Sequence, residues 1–222
     1  MIKCAVIITH NRPDLLKQTV NAIAPQVEEV IILDNASETP VNLQWFEDCG
    51  SRAGISVTFI STQPPNLAEL WAEGIRQVKA MGDGYIAFLC DDSPPPPGWY
   101  DAVLWGMQET GAAIGCSSPW GGPTSYLAVK TQPDRDIGGR MPGWAFVLDS
   151  RSSVRPDTSM HWWWFDTDLD FQARLAGGMV MIGGYPVENI HPNEYTYSRP
   201  WASERIHFDT IAFEAKWGPR PW

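Results

Sequence analysis

Three polar segments that directly follow apolar runs contain the residues best suited to chemistry: THNR (9–12), DNAS (34–37) and CDDS (90–93). In the last, Asp91 and Asp92 are adjacent acids after an apolar run, and four prolines follow them. Two carboxylates suit Mg²⁺ or Mn²⁺, which takes oxygen ligands, keeps several waters and bridges substrate phosphates. The same acids could instead cap a helix that starts near Pro97. The residues alone leave both interpretations open.

A second candidate is HWWWFDTDLDF (161–171), in which acids alternate with other residues directly after three tryptophans. On a helix Asp166 and Asp170 share a face and favour the N-terminus, whereas Asp168 points elsewhere. We expect Asp168 to face a cleft beside the tryptophans, where apolar walls would raise its pKa and suit it to act as a base. Trp163 and Trp164 could stack on a sugar ring. Core packing is the alternative, and we expect it for at least one of the three tryptophans.

The elements that must position these residues alternate between two periods. Short apolar runs predict strands covered on both faces, and stretches with apolar residues at helical spacing lie between them. The pattern predicts an α/β fold with a mostly parallel sheet, whose ligands bind at the carboxyl ends of the strands. The predicted strands are 3–8, 29–34, 56–60, 84–90, 144–149 and 179–184; the predicted helices begin near Asn11 and cover 67–81, 99–108 and 166–176; the Gly/Pro-rich stretch 119–143 is predicted to be a surface loop.

Composition narrows the class of partner. The 222 residues carry 16 Lys and Arg against 26 Asp and Glu, a formal charge of −10 that disfavours nucleic acid and anionic membranes. A divalent cation would still let such a protein hold a phosphorylated small molecule. The four cysteines form no C-x-x-C motif, the N-terminus lacks signal-peptide features, and no apolar stretch is long enough to span a bilayer. We expect a single cytoplasmic domain with no membrane span.

The order of the motifs resembles the GT-A fold nucleotide-sugar glycosyltransferases, and most closely glycosyltransferase family 2. Each motif is weak alone, but the series runs in the family's order from residue 2 to about 198. It comprises a T-x-N-R strand end (Thr9, Asn11, Arg12), a D-N-x-S strand end (Asp34, Asn35, Ser37), an Asn before a helix (Asn66), a D-x-D-like element in FLCDDSPPPPGW, GWAF (143–146), a helix with Asp168, Asp170 and Arg174, Gly178 and a late histidine, His191.

The resemblance implies a single GT-A, Rossmann-like domain, with a nucleotide-binding half over about 1–92 and an acceptor-binding half over about 93–222. It implies transfer of a sugar, typically a hexose, from a nucleoside-diphosphate donor, with a UDP or dTDP donor favoured, to a glycan, protein or small-molecule hydroxyl. Asp168 would be the base of an inverting reaction, and Mn²⁺ or Mg²⁺ the cofactor. Donor contacts would come from Thr9, Asn11, Arg12, Asp34, Asn66, Asp91 and Trp144, and metal contacts from Asp92 and His191.

Two positions depart from the family pattern. Cys90 replaces the first acid of the D-x-D element, and Thr167 replaces the acid that usually precedes the base. A nucleotidyltransferase is disfavoured, because THNRPDLL lacks the Gly-rich loop that cradles a triphosphate. The remaining alternative is a non-catalytic sugar- or nucleotide-binding protein that keeps the GT-A fold.

Overall fold

The computed structural model describes residues 1–47, 53–62, 66–133, 139–190 and 199–219. Eight strands form one sheet in the order β3-β2-β1-β4-β7-β5-β8-β6. Neighbours pair in parallel through β1, β2, β3 and β4 and between β5 and β8, while β7 and β6 run antiparallel to their neighbours. The strands are β1 Ile2–Thr9, β2 Glu29–Asn35, β3 Gly54–Ile60, β4 Gly84–Cys90, β5 Ile114–Ser117, β6 Leu127–Lys130, β7 Ala145–Asp149 and β8 Met179–Ile182.

Within the described ranges, five α-helices cover the two faces of this sheet: α1 Pro13–Ile23, α2 Leu67–Met81, α3 Trp99–Thr110, α4 Phe165–Leu175 and α5 Ala202–Trp217. Successive residues of β1 point into different layers, because side chains alternate along a strand. Val6 packs in the layer that holds α2, α4 and the buried Phe213 of α5. Ile7 packs with α1 and α3 on the other face. The mixed, mostly parallel sheet with helices on both faces confirms the predicted fold class.

Three elements differ from the sequence-based expectation, and one of them is the short strand β5, which was not predicted. The stretch 119–143 is not loop throughout, since β6 lies within it and pairs with β8. The helix α5 was not predicted. Its apolar residues give only a weak helical pattern, and Asp209 interrupts its buried face. Among the described residues, none of the helices is both long and apolar enough to span a bilayer.

The topology gathers the functional residues at one edge. The strands β1, β2, β4, β5 and β8 all end there, and β7 begins there, because Ala145 pairs with Leu89 near the end of β4. In α/β sheets this carboxyl edge is where ligands bind. The polar segments 9–12, 34–37 and 90–93 therefore lie together, beside the start of β7.

Candidate functional site

The centre of this edge is an ion-paired group of three side chains. Arg12 lies just before α1 and reaches both acids that follow β4. Its Nε and Nη2 donate to the two carboxylate oxygens of Asp91, and its Nη1 donates to Asp92 Oδ2 at 2.7 Å. The fork geometry of a guanidinium makes such paired contacts strong and specific. One cation therefore compensates two buried carboxylates.

The two acids differ in how completely they are used. Asp91 also accepts a 2.8 Å hydrogen bond from Thr9, and burial raises its pKa to about 6 against the opposing influence of Arg12. Asp92 uses Oδ2 for Arg12, and its other oxygen, Oδ1, lies 3.5 Å from the hydroxyl of Ser93. Desolvation raises the pKa of the preceding Cys90 thiol, with the two carboxylates acting in the same direction. A protonated thiol is a poor ligand for hard cations.

The loop after β2 is held by the carboxylate of Asp34. This side chain is fully buried, and its two oxygens accept from the backbone N–H groups of Ser37 and Val41 at 3.0 and 2.9 Å. Asn11, whose φ of 57° is left-handed, joins this loop to β1 by accepting from the N–H of Glu38. Both Asp34 oxygens are thus engaged by the loop, so the structure gives this carboxylate a role in shaping the loop, and the donor contact expected for it stays a prediction.

Two further residues expected to contact the sugar donor, Asn66 and Trp144, form hydrogen bonds within the protein. Asn66 caps α2, accepting from the N–H of Glu69 and donating to the carbonyl of Thr158. Asn66 is buried, and these two bonds engage both the oxygen and the nitrogen of its amide. Trp144 is half-buried at the start of β7 and donates its indole N–H to the carbonyl of Val187 at 3.0 Å, which leaves part of the ring exposed at the edge. His191 lies outside the described residues.

The structure places Asp168 away from the edge, which corrects the expected cleft position. Its carboxylate is 0 % exposed. One oxygen accepts from Gln172 at 2.6 Å, and the other accepts from the Trp217 indole at 2.7 Å and pairs with Lys216 at 2.8 Å. These partners belong to α4 itself and to α5, so Asp168 joins two helices.

The acid that α4 directs to the edge is Asp166. Its Oδ2 lies so close to the backbone of Gly143 that a Cβ there would come within 2.3 Å, and Cys90 at the end of β4 lies within electrostatic range. Desolvation raises the pKa of this half-buried carboxyl, while the N–H of Thr167 and the charge of Arg140 oppose the shift. Residues two positions apart on an α-helix point in directions that differ by about 200°, so a base at 166 and a base at 168 would face opposite sides of α4.

The tryptophans before α4 divide between core and surface. Trp164 is buried, donates its indole N–H to Thr210 at 2.8 Å and packs on Phe213, which confirms core packing for one of the three and leaves it no sugar-stacking face. Trp163 is half-buried, and Trp162 meets Trp201 edge to face at 4.9 Å.

One aromatic side chain at the edge was missed by the sequence analysis. Trp120 follows β5 and is 84 % exposed, the largest exposed fraction among the large hydrophobic side chains that the structure describes. The backbone N–H of Ser118, two residues earlier, bonds to the carbonyl of Ile182 at the end of β8. The sequence signal was its position directly after a strand, but a strand as short as β5 was not recognised.

The oxygen ligands at this edge fit a divalent cation in one limited way. No group of three or more His, Cys, Asp or Glu side chains in the described ranges could hold a metal ion by itself. Mg²⁺, however, is commonly held by one or two carboxylates, with substrate phosphates and water completing the shell. Asp92 can supply such a single carboxylate, since among the described residues the partner of its Oδ1 is the Ser93 hydroxyl, at a long 3.5 Å.

Comparison with known proteins establishes the class. The model of the glycosyl transferase family 2 matches residues 4–166, which is most of the chain. The protein therefore belongs to glycosyl transferase family 2, and its fold is the GT-A fold of that class. None of the curated proteins matches the chain.

Solved structures with the same fold are distant in sequence. S. aureus TarS 1–349 in complex with UDP-GlcNAc superposes with a TM-score of 0.69 at 11 % identity, covering 96 % of this chain and 67 % of that one. Another crystal structure of TarS 1–349 superposes with a TM-score of 0.66 at 12 % identity, and there this chain spans 66 % of the length of TarS 1–349. Glucosyl-3-phosphoglycerate synthase from Mycobacterium tuberculosis, in complex with Mn²⁺, UDP and glucosyl-3-phosphoglycerate, gives 0.57 at 16 % identity over 92 % of this chain and 78 % of that one.

Proposed function

We propose that the protein transfers a sugar, of the hexose type, from a nucleoside-diphosphate donor to an acceptor hydroxyl with inversion at the anomeric carbon. The observation that carries this proposal is the meeting of two acid groups at one edge of a GT-A sheet. Arg12, Asp91 and Asp92 lie on the β1 and β4 side, and Asp166 lies against the start of β7. The first group suits a leaving diphosphate, and the second suits deprotonation of an acceptor.

The donor would bind over the segments that follow β1, β2 and β4. Thr9 and Asp91 would hold Arg12 in place through the contacts described above, while Asp34 and Asn66 would shape the walls of the site. A UDP donor is the first to test, because TarS 1–349 binds UDP and UDP-GlcNAc and the mycobacterial synthase binds UDP. Trp144 would border the sugar.

A divalent cation, Mn²⁺ or Mg²⁺, would be held by Asp92 together with the diphosphate and would neutralise the leaving group. The structure of the mycobacterial synthase with Mn²⁺ supports this part of the proposal. Arg12 would contribute a second positive charge beside it. Such neutralisation is needed because the chain itself carries a formal charge of −10.

The base would be Asp166, not Asp168. A base must reach the hydroxyl that it deprotonates, and Asp166 is the acid of α4 that lies at the ligand-binding edge. As the acceptor oxygen bonds to the anomeric carbon and the bond to the diphosphate breaks, the acceptor proton would pass to the Asp166 carboxylate. Its raised pKa improves its match to that proton. Trp163 and Trp120 are the aromatic surfaces from which we would expect acceptor contacts.

The first test is calorimetric titration with UDP, dTDP, GDP and CDP, each with Mn²⁺ and with EDTA. Tight binding of one nucleotide that depends on Mn²⁺ is the expected result. Absence of binding by all four would contradict the proposal and favour a non-catalytic sugar-binding protein, an alternative consistent with Cys90 at the first D-x-D position.

The base is tested by a matched pair, Asp166→Asn and Asp168→Asn, with release of UDP from UDP-GlcNAc, using water as acceptor, as the rate assay. Asp166→Asn should abolish release and keep UDP affinity. Asp168→Asn should lower thermal stability but keep most of the rate. The opposite pattern, in folded variants with equal UDP affinity, would assign the base to Asp168.

A further inference from the structure

The C-terminal helix α5 holds the backbone segment that leads into α4. Asp209, on α5, is 0 % exposed. Its Oδ1 accepts from the N–H of His161 at 2.9 Å, and its Oδ2 accepts from the N–H groups of Trp162 and Trp163 at 2.8 and 2.7 Å. Three consecutive main-chain donors therefore converge on a single buried carboxylate.

Such a run of N–H groups forms a concavity that attracts an anion. Here the anion is a side chain more than forty residues further along the chain. Hydrogen bonds to an ionised acceptor are shorter and stronger than neutral ones, and these three lie in that shorter range. The carbonyl of His161 in turn accepts from the N–H of Leu67 at 2.7 Å, so the segment is also tied to α2.

The segment sets the direction in which α4 begins. Trp164, the N-cap of α4, has a left-handed φ of 66°, a conformation that costs a non-glycine residue roughly 1–2 kcal/mol. It is kept there by the bond from its indole to Thr210 and by packing on Phe213, both on α5. Asp166 follows two residues later, so the turn fixes where its carboxylate points.

We propose that Asp209 is a positioning residue, which fixes the turn at 161–164 and thereby holds the Asp166 carboxylate against Gly143 at the reacting edge. This inference rests on the function proposed above. It gives α5 a part in the reaction through the backbone of 161–163. An asparagine cannot make all three bonds, because one of the two carboxylate oxygens becomes an NH₂ group. That group is a hydrogen-bond donor and would face an N–H group, which is also a donor.

The test compares Asp209→Asn with Asp157→Asn as its matched control. Asp157 is also an acid that contacts α5, through Lys216, but it binds none of the three N–H groups. The three bonds from the N–H groups of 161–163 to the Asp209 carboxylate are called the clamp, and amide hydrogen exchange at 161–163 reports it. UDP titration reports the donor site, and UDP release from UDP-GlcNAc reports the reaction.

In Asp209→Asn we expect exchange at 161–163 to be about ten- to a hundredfold faster. We expect kcat to fall on the order of 10- to 100-fold with KM for UDP-GlcNAc and UDP affinity kept, since misplacing a reacting group by about 1 Å can cost that much. The acid limb of the pH profile should shift as the surroundings of Asp166 loosen. Asp157→Asn should change none of these quantities.

Unchanged exchange at 161–163 would overturn the clamp. Faster exchange with an unchanged kcat and pH profile would overturn the positioning role. Loss of UDP affinity together with kcat would indicate general damage and would also refute it, and thermal unfolding identifies that case. If the wild type neither binds UDP nor releases it, the proposed function fails first, and the exchange data still decide whether the clamp exists.

Discussion

The pairing of Arg12 with both acids predicts that the guanidinium competes with a divalent cation. Its Nη1 donates to Oδ2 of Asp92, the carboxylate that would hold the metal. A cation that enters at the other oxygen, Oδ1, without nucleotide shares this carboxylate with the guanidinium and is repelled by its charge, whereas one that arrives with a diphosphate brings additional oxygen ligands and negative charge. Wild-type protein should therefore bind Mn²⁺ weakly when no nucleotide is present.

The variant Arg12→Gln removes the competitor and leaves two buried carboxylates without a cation. The bond at 2.7 Å is charge-assisted, a kind worth about 1.5–3 kcal/mol. At about 1.4 kcal/mol per factor of ten, Mn²⁺ should bind about 10- to 100-fold more tightly. UDP should bind more weakly at the same time, because one positive charge beside the diphosphate is lost.

The assay is the loss of the free-Mn²⁺ electron paramagnetic resonance signal during titration without nucleotide. Lys17→Gln is the control for charge alone, because Lys17 lies on the neighbouring α1 above the Trp45 ring, 5.1 Å from its centroid. Equal or weaker Mn²⁺ binding in folded Arg12→Gln, or equal tightening in Lys17→Gln, would refute the competition.

Three further predictions concern the acids of α4. Gly143→Ala should lower kcat at least tenfold, because the new Cβ would meet the Asp166 carboxylate at 2.3 Å; normal kcat in UDP release would contradict the placement of Asp166. The rate should fall on the acid side with a midpoint above the ordinary Asp value of about 4, since desolvation raises the pKa of Asp166 and a base acts deprotonated; a midpoint at or below that value would exclude it. Arg174→Met should reduce the free energy of unfolding by about 3–5 kcal/mol in urea denaturation, because it leaves the Asp170 carboxylate buried without its ion pair; a loss below about 1 kcal/mol would refute this estimate.

Much of the N-terminal part, residues 1–92, could be predicted from the sequence. The near-continuous apolar runs at 29–34 and 84–90 become central strands, and helix α2 has the predicted bounds of 67–81. The polar residues at the strand ends follow from this, because parallel strands must deliver them to one edge. Periodicity is a local signal, and in this part each element satisfies it locally.

The phase of α4 could not be predicted in the same way. The spacing of Asp166, Asp168 and Asp170 showed that they face different sides of a helix, but not which side faces the site. That choice depends on Trp164, whose left-handed start to the helix depends on α5. The deciding contacts come from residues more than forty positions away, beyond the reach of a pattern read within one window.

The clamp by Asp209 has a consequence for engineering acceptor preference. The three groups that it binds are main-chain N–H donors, which every residue except proline supplies. The three bonds to Asp209 therefore do not depend on which side chains stand at 161–163. A library that varies Trp162 and omits proline could reshape the surface near the proposed base while the three N–H bonds to Asp209 are kept.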